Sequence, residues 1–150
     1  NFCEKIEQIN RLKLNDEFMV IARIESFILE KGLKDAYIRA RKYVEAGANG
    51  IMIHSKDKDP KKIFKFIKMF RKKFLTTPLV VVPSSFNQVK ENIFLDLGVN
   101  VVIYANHLLR ASYPAMRDTA MSILKNSRSL ESDRSLLSIK EILELIPGTK

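Results

Sequence analysis

The strongest constraint in this chain is a recurring pattern of short, wholly apolar segments that each run straight into polar side chains. Phe18-Met19-Val20-Ile21-Ala22 leads to Arg23 and Glu25, and Gly50-Ile51-Met52-Ile53 leads to His54-Ser55. Leu79-Val80-Val81-Val82 leads to Pro83-Ser84-Ser85, and Val101-Val102-Ile103-Tyr104 leads to Ala105-Asn106-His107. A strand that is apolar on both sides must be covered on both, which is the condition of a parallel sheet flanked by helices. In such folds ligands bind at the carboxyl ends of the strands. Polar residues at four strand ends therefore predict one half of a ligand site.

Helical patterns separate the strands. Residues 2–13 form a first helix with Ile6, Ile9 and Leu12 on one side, and residues 33–45 a second with Ala36, Ala40 and Val44 inward. Gly47 suits the stop of that second helix, where a left-handed conformation is often needed. Asp59-Pro60 opens a third helix as an acidic cap followed by proline. Its apolar residues Ile63, Phe66, Ile67, Phe70 and Phe74 recur at helical spacing. A short helix over residues 88–97 stops at Gly98, and a longer one spans residues 108–125. Residues 126–137 are Ser/Arg/Glu-rich and read as a linker. Residues 138–146 form a last helix in which Ser138 and Glu141 have capping-box spacing. Gly47-Ala48-Asn49-Gly50 and Gly98-Val99-Asn100-Val101 are alike and 51 residues apart, with one strand between them. The repeat is thus about 25 residues, the pitch of a βα unit in a barrel or open parallel sheet.

Composition narrows the function classes. No apolar run approaches the roughly 20 residues that span a bilayer, so a membrane partner is not expected. The single cysteine, Cys3, cannot form an internal disulfide, which fits a cytoplasmic location. The opening Asn1-Phe2-Cys3 has no initiator Met and no signal pattern, and reads as a cut into a longer chain. Most of the net charge of +9 lies between Lys56 and Lys73, on the outer face of the third helix. A solvated face is the expected role, and no helix-turn-helix, zinc-ligand or RNA-binding aromatic motif argues for nucleic acid. Gly-rich phosphate loops, Cys/His metal clusters and Ser-His-Asp orders are missing as well.

Three segments then point to a family. Val20-Ile21-Ala22-Arg23-Ile24-Glu25-Ser26, Ala46-Gly47-Ala48-Asn49-Gly50-Ile51-Met52-Ile53-His54-Ser55-Lys56 and Ile103-Tyr104-Ala105-Asn106-His107-Leu108-Leu109-Arg110-Ala111 resemble the phosphoenolpyruvate phosphomutases of the isocitrate lyase superfamily. The resemblance spans residues 1–125 in order and spacing. The tail from Ser138 to Lys150 resembles mutase tails that continue into a nucleotidyltransferase domain. The implied fold is α/β, with four βα units corresponding to the C-terminal half of a (β/α)8 TIM-type barrel, followed by C-terminal helices. Two departures stand out: the family's Ala-Gly-Ala-Asp reads Ala46-Gly47-Ala48-Asn49, and its Pro-Thr-x-Tyr reads Pro83-Ser84-Ser85-Phe86. The second puts any hydrogen bond from position 86 in doubt.

The activity implied is the interconversion of phosphoenolpyruvate and phosphonopyruvate, in the biosynthesis of C–P-bonded compounds. Arg23 and His54 are the expected catalytic and phosphoryl-binding residues. A guanidinium grips an anion with a rigid fork of donors, and an imidazole donates hydrogen bonds near neutral pH. Ser55 and Ser84 are weaker substrate-binding candidates, and simple loop capping is the favoured use for each. Glu25 shares Arg23's face, being two residues on; it either orients Arg23 or backs the metal from behind. Asn106 is placed in the same supporting class, while Asp57 and Asp59 read as turn and cap residues. The implied cofactor is Mg2+, with its ligands and the gating loop upstream of Asn1 and no metal ligand in this chain. Alternatives are a phosphonopyruvate hydrolase, a non-catalytic remnant or assembly module, and a basic module for anionic polymers. The resemblance also implies a homo-oligomer that swaps the helix over residues 108–125.

Overall fold

The computed structural model describes residues 1–15, 17–146 and 148. It divides into two compact units, Asn1–Ala105 and Asn106–Lys150. In the first, helices α1 (Phe2–Leu12), α2 (Gly32–Glu45), α3 (Lys61–Arg71) and α4 (Glu91–Asp96) alternate with strands β1 (Ile21–Ile24), β2 (Gly50–Ile53), β3 (Leu79–Val81) and β4 (Val101–Val102). The strands form one parallel sheet in the order β1-β2-β3-β4. This is the α/β succession that the doubly apolar strands predict.

One face of the sheet carries the core. Ala22, Ile24, Ile51, Ile53, Leu79 and Val81 are buried there. They share a cluster with Ala36 and Ala40 of α2 and Ile63, Phe66, Ile67 and Phe70 of α3. Alternate positions bring Arg23 and His54 to the opposite face, beside Ile21 and Met52. None of these four is buried. The two faces therefore divide the work: one packs, the other presents chemistry.

Three local readings change. The first strand is Ile21–Ile24 rather than residues 18–22, so Arg23 lies within it, opposite Met52. The cause is the partner strand: pairing begins where Asn49 and Gly50 meet Val20 (Asn49 N–H to Val20 O, 2.8 Å). Phe18 and Met19 lie before that point and are exposed. In α1, Ile6 is buried but Ile9 and Leu12 are exposed. This helix docks on α2 through a different stripe: Phe2 packs on Tyr43 (4.7 Å between ring centroids) and Asn10 Nδ2 donates to Gly47 O (2.8 Å). Arg71 does not join the basic outer face of α3. Its guanidinium donates to the carbonyls of Phe74 (2.7 Å), Thr77 (2.8 Å) and Gly98 (2.6 Å), and to Asn100 Oδ1 (2.7 Å).

The two similar Gly-x-Asn segments do the same job. Gly47 and Gly98 take positive φ of 97° and 84° at the helix stops. Asn49 Oδ1 then accepts from Val20 N (2.8 Å) and Asn100 Oδ1 from Leu79 N (2.9 Å). Each asparagine also donates its own N–H to the carbonyl of that same residue. A side chain thus supplies the first rung of two strand pairings.

In the second unit, α5 (His107–Asn126) carries Pro114 within it and has no buried residue. The stretch read as a linker contains a 3-10 helix, Leu130–Ser135, and α6 (Ile139–Glu144) closes the described chain. The capping box is formed: Ser138 N–H donates to Glu141 Oε2 (2.8 Å) and Glu141 N–H to Ser138 Oγ (3.2 Å). The sequence also places a helix stop at Pro147-Gly148, and Pro147 lies outside the described residues. Among the described residues no helix is long and apolar enough to cross a membrane.

Candidate functional site

Arg23 projects from β1 on the face opposite the core, Glu25 follows two residues later, and His54 follows β2 two residues after Met52, the partner of Arg23. Parallel register and the two-residue side-chain period therefore bring all three together. Arg23 Nη2 lies 2.8 Å from His54 Nδ1. Arg23 Nε donates to Glu25 Oε1. The other oxygen of Glu25 stands 3.9 Å from His54 Nδ1. Of the two uses open to Glu25, the contact made is with Arg23.

Electrostatics at this cluster favour a neutral imidazole. Burial pushes the His54 pKa below its usual value, and the neighbouring Arg23 charge pushes the same way, against a weaker pull from Glu25. The ring is a quarter exposed and the Arg23 side chain about half. An anion arriving at these strand ends can reach both.

The remaining candidates are dispersed. Ser55 is buried, and its Oγ accepts from Asp57 N–H (3.1 Å), a turn contact. It belongs to the parity of Ile51 and Ile53, on the core side. Ser84 is half-buried and lines a polar cleft of about 450 Å3 with Lys56, Lys58, Ser85, Asn87 and Gln88. Asn106 opens the second unit in a left-handed conformation (φ 61°), and its side chain makes no capping bond to α5. Asp57 pairs with Lys62 (2.8 Å), and Asp59 accepts from Lys61 N–H (2.9 Å) as a helix cap. Phe86 is fully buried against Phe94 (6.2 Å between centroids), so position 86 serves packing.

Two features beside the cluster are missing from the sequence reading. Ser26, buried next to Glu25, donates to Asp35 Oδ2 (2.7 Å), which also accepts from Arg39 Nε (2.7 Å). This ties the turn after β1 to the first turn of α2. The four-residue spacing of Asp35 and Arg39 is the one sign of it in the sequence. Farther along the rim, Lys56 pairs with Glu30 (3.0 Å).

Among the described residues no group of three or more His, Cys, Asp or Glu side chains is arranged to hold a metal ion. The chain's own contribution at these strand ends is one guanidinium and one imidazole, braced by a carboxylate.

Comparison with known proteins now bears on this arrangement. A family model described as phosphoenolpyruvate phosphomutase matches residues 1–124. A phosphoenolpyruvate phosphomutase of Tetrahymena pyriformis is 35% identical over 144 residues, covering 96% of this chain and 47% of that protein. The crystal structure of a phosphoenolpyruvate phosphomutase from Streptomyces platensis subsp. rosaceus superposes with a TM-score of 0.89 at 33% identity, over 96% of this chain and 49% of that one. A phosphonopyruvate hydrolase solved with oxalate and Mg2+ superposes with a TM-score of 0.86 at 39% identity, over 96% of this chain and 50% of that one. The chain spans about half the length of the curated relatives it matches. With the family model covering all four strands and the helices between them, this chain belongs to the phosphoenolpyruvate phosphomutase family.

Proposed function

We propose that this chain supplies the phosphoryl-holding wall of an enzyme that interconverts phosphoenolpyruvate and phosphonopyruvate. The observation that carries the reading is the Arg23–His54 pair, joined at 2.8 Å on the open face of two adjacent parallel strands. In this reaction a phosphoryl group leaves the enolate oxygen of pyruvate and is taken up by carbon three of the same molecule. Little bonding remains to the group in flight, so catalysis rests on positioning and on charge opposite its equatorial oxygens. Arg23 would hold those oxygens through guanidinium N–H groups, and His54 would add a further donor. Glu25 keeps Arg23 aimed.

Mg2+ in such an enzyme would hold the pyruvyl enolate by its oxygens and so suppress protonation of the enolate. The described residues do not form a metal site, and we assign its ligands to carboxylates outside these 150 residues. We also assign α5 as a helix exchanged between copies. Leu108, Tyr113, Met121 and Leu124 are all exposed on it, an apolar load that a partner chain would cover.

The hydrolase reading stands second, favoured by the 39% identity to a phosphonopyruvate hydrolase. Phosphorus NMR separates the two when the chain is supplied with the other half of the barrel and Mg2+. Conversion of phosphonopyruvate to phosphoenolpyruvate is expected; release of pyruvate and inorganic phosphate alone would install the hydrolase reading. Arg23→Ala should lower kcat/KM by about 100-fold or more, the cost of removing one preorganised donor from a developing oxyanion. Near-normal kcat/KM in that variant would remove Arg23 from the site.

A further inference from the structure

The Arg23–His54 contact carries more than proximity. A guanidinium has five N–H donors and no acceptor, so at 2.8 Å from Arg23 Nη2 the Nδ1 atom of His54 must offer its lone pair. A ring whose Nδ1 accepts carries its one proton on Nε2. Glu25 controls this from the other side of the guanidinium. Its Oε1 takes the Nε–H of Arg23 and fixes the plane of the fork. Its Oε2, at 3.9 Å from Nδ1, is too distant to take a proton there. We propose that Glu25 is a positioning residue that, by gripping Arg23, holds His54 as the neutral tautomer protonated on Nε2, so that an oxyanion here meets one guanidinium and one neutral N–H donor.

The donor inventory of the cluster follows. Nε–H of Arg23 goes to Glu25 and one Nη2–H to His54, which leaves three guanidinium N–H groups and Nε2–H of His54 for a ligand. These are donors only. They fit a group with several acceptor oxygens, such as a phosphonate or phosphate, and offer nothing to an ammonium or an amide N–H. Glu25 and Arg23 nearly cancel in charge, so the cluster binds by directed hydrogen bonds more than by net positive charge. The depressed basicity of His54 agrees, since both burial and Arg23 oppose a second cation. The inference deepens the phosphoryl-holding reading and rests on it only for the identity of the oxyanion.

Long-range proton–nitrogen correlation of the imidazole in 15N-labelled protein tests this without any turnover. At neutral pH His54 should show its proton on Nε2 and Nδ1 as a hydrogen-bonded acceptor. A proton on Nδ1 in the unaltered protein overturns the proposal, whatever any variant does. Arg23→Gln should move the Nδ1 resonance to that of a free acceptor, and Glu25→Ala should move it by most of the same amount. A Glu25→Ala spectrum that keeps the original Nδ1 resonance, while Arg23→Gln displaces it, also overturns it. Both side chains are solvent-accessible, so neither substitution removes core packing. Loss of phosphonate turnover alone leaves these nitrogen signals intact, so the two readings fail separately.

Discussion

His54 ties the site to the acid stability of the chain. Its folded pKa is lowered by burial first and by Arg23 second. The unfolded chain, with an ordinary histidine near about 6.5, therefore takes up a proton before the folded one does. Stability should be level above that value and fall as the pH drops through it, because protons then favour the unfolded state. Urea unfolding at a series of pH values should show this decline, and His54→Asn should flatten it. A flat profile in the unaltered chain would mean that His54 gains its charge without cost. Asp35 acts lower on the scale. The Ser26 hydroxyl, then Arg39, hold its carboxylate below 3.8, so its support is present above that value and is lost as the pH falls through the folded one. Arg23 and His54 were legible in the sequence because each sits where an apolar strand turns polar. Strand parity also decides Ser55, since it follows Ile51 and Ile53 by steps of two onto the core side. The role of Glu25 was not legible: two residues from Arg23, it could equally have faced a metal.

At the level of elements, the recurrence of Gly-x-Asn was visible in the sequence but its mechanics were not. Spacing marks a helix stop and a strand start. It does not say that Asn49 and Asn100 reach across to pair with Val20 and Leu79. Arg71 was misplaced for a related reason: helical spacing counts a basic residue at the end of α3 as solvated, whereas the chain after α3 offers its guanidinium the carbonyls of Phe74 and Thr77, and the stop of α4 offers that of Gly98. Arg71→Ala should strip the support from Gly98, Phe74 and Thr77 at once. A loss of roughly 3 kcal/mol is expected, since charged hydrogen bonds are worth about 1.5–3 kcal/mol each and are not additive. Thermal unfolding would read it, and a change within experimental error would show that water replaces the side chain. Gly50 is equally exacting. A Cβ there would meet Ile21 Cδ1 at 2.6 Å and the Pro78 carbonyl at 2.9 Å. Gly50→Ala should cost about 1–3 kcal/mol, the usual penalty of overpacking.

Across the whole molecule, the sequence conveyed the order of strands and helices, because doubly apolar strands separated by amphipathic helices leave few other arrangements. Half of a barrel also implies two open strand edges, with pairing or aggregation as the expected result. β1 and β4 are the outer strands of a sheet that is open among the described residues. Val101 and Ile103 are exposed, as are Phe18 and Met19 just before β1. Unpaired edges and bare apolar surface favour association. Sedimentation should therefore show mass rising with protein concentration, and a monomer at all concentrations would count against it. Charge opposes this in part, since the basic segment around α3 keeps copies apart at low salt. Added salt should accordingly strengthen the association.

The asparagine clasp has one more consequence, in the order in which the sheet admits solvent. β4 pairs with β3 over two residues only, Val80 with Val101 and Val81 with Val102. The Asn100 side chain at one end and the Ile103 N–H to Val81 O bond at the other (2.9 Å) complete its attachment. β2 is flanked by longer pairings on both sides. In deuterium exchange the sheet should open from β4 inward, with β2 the last to trade its amide protons. The Leu79 amide, held by a side chain rather than by a strand, would mark the moment at which β4 lets go.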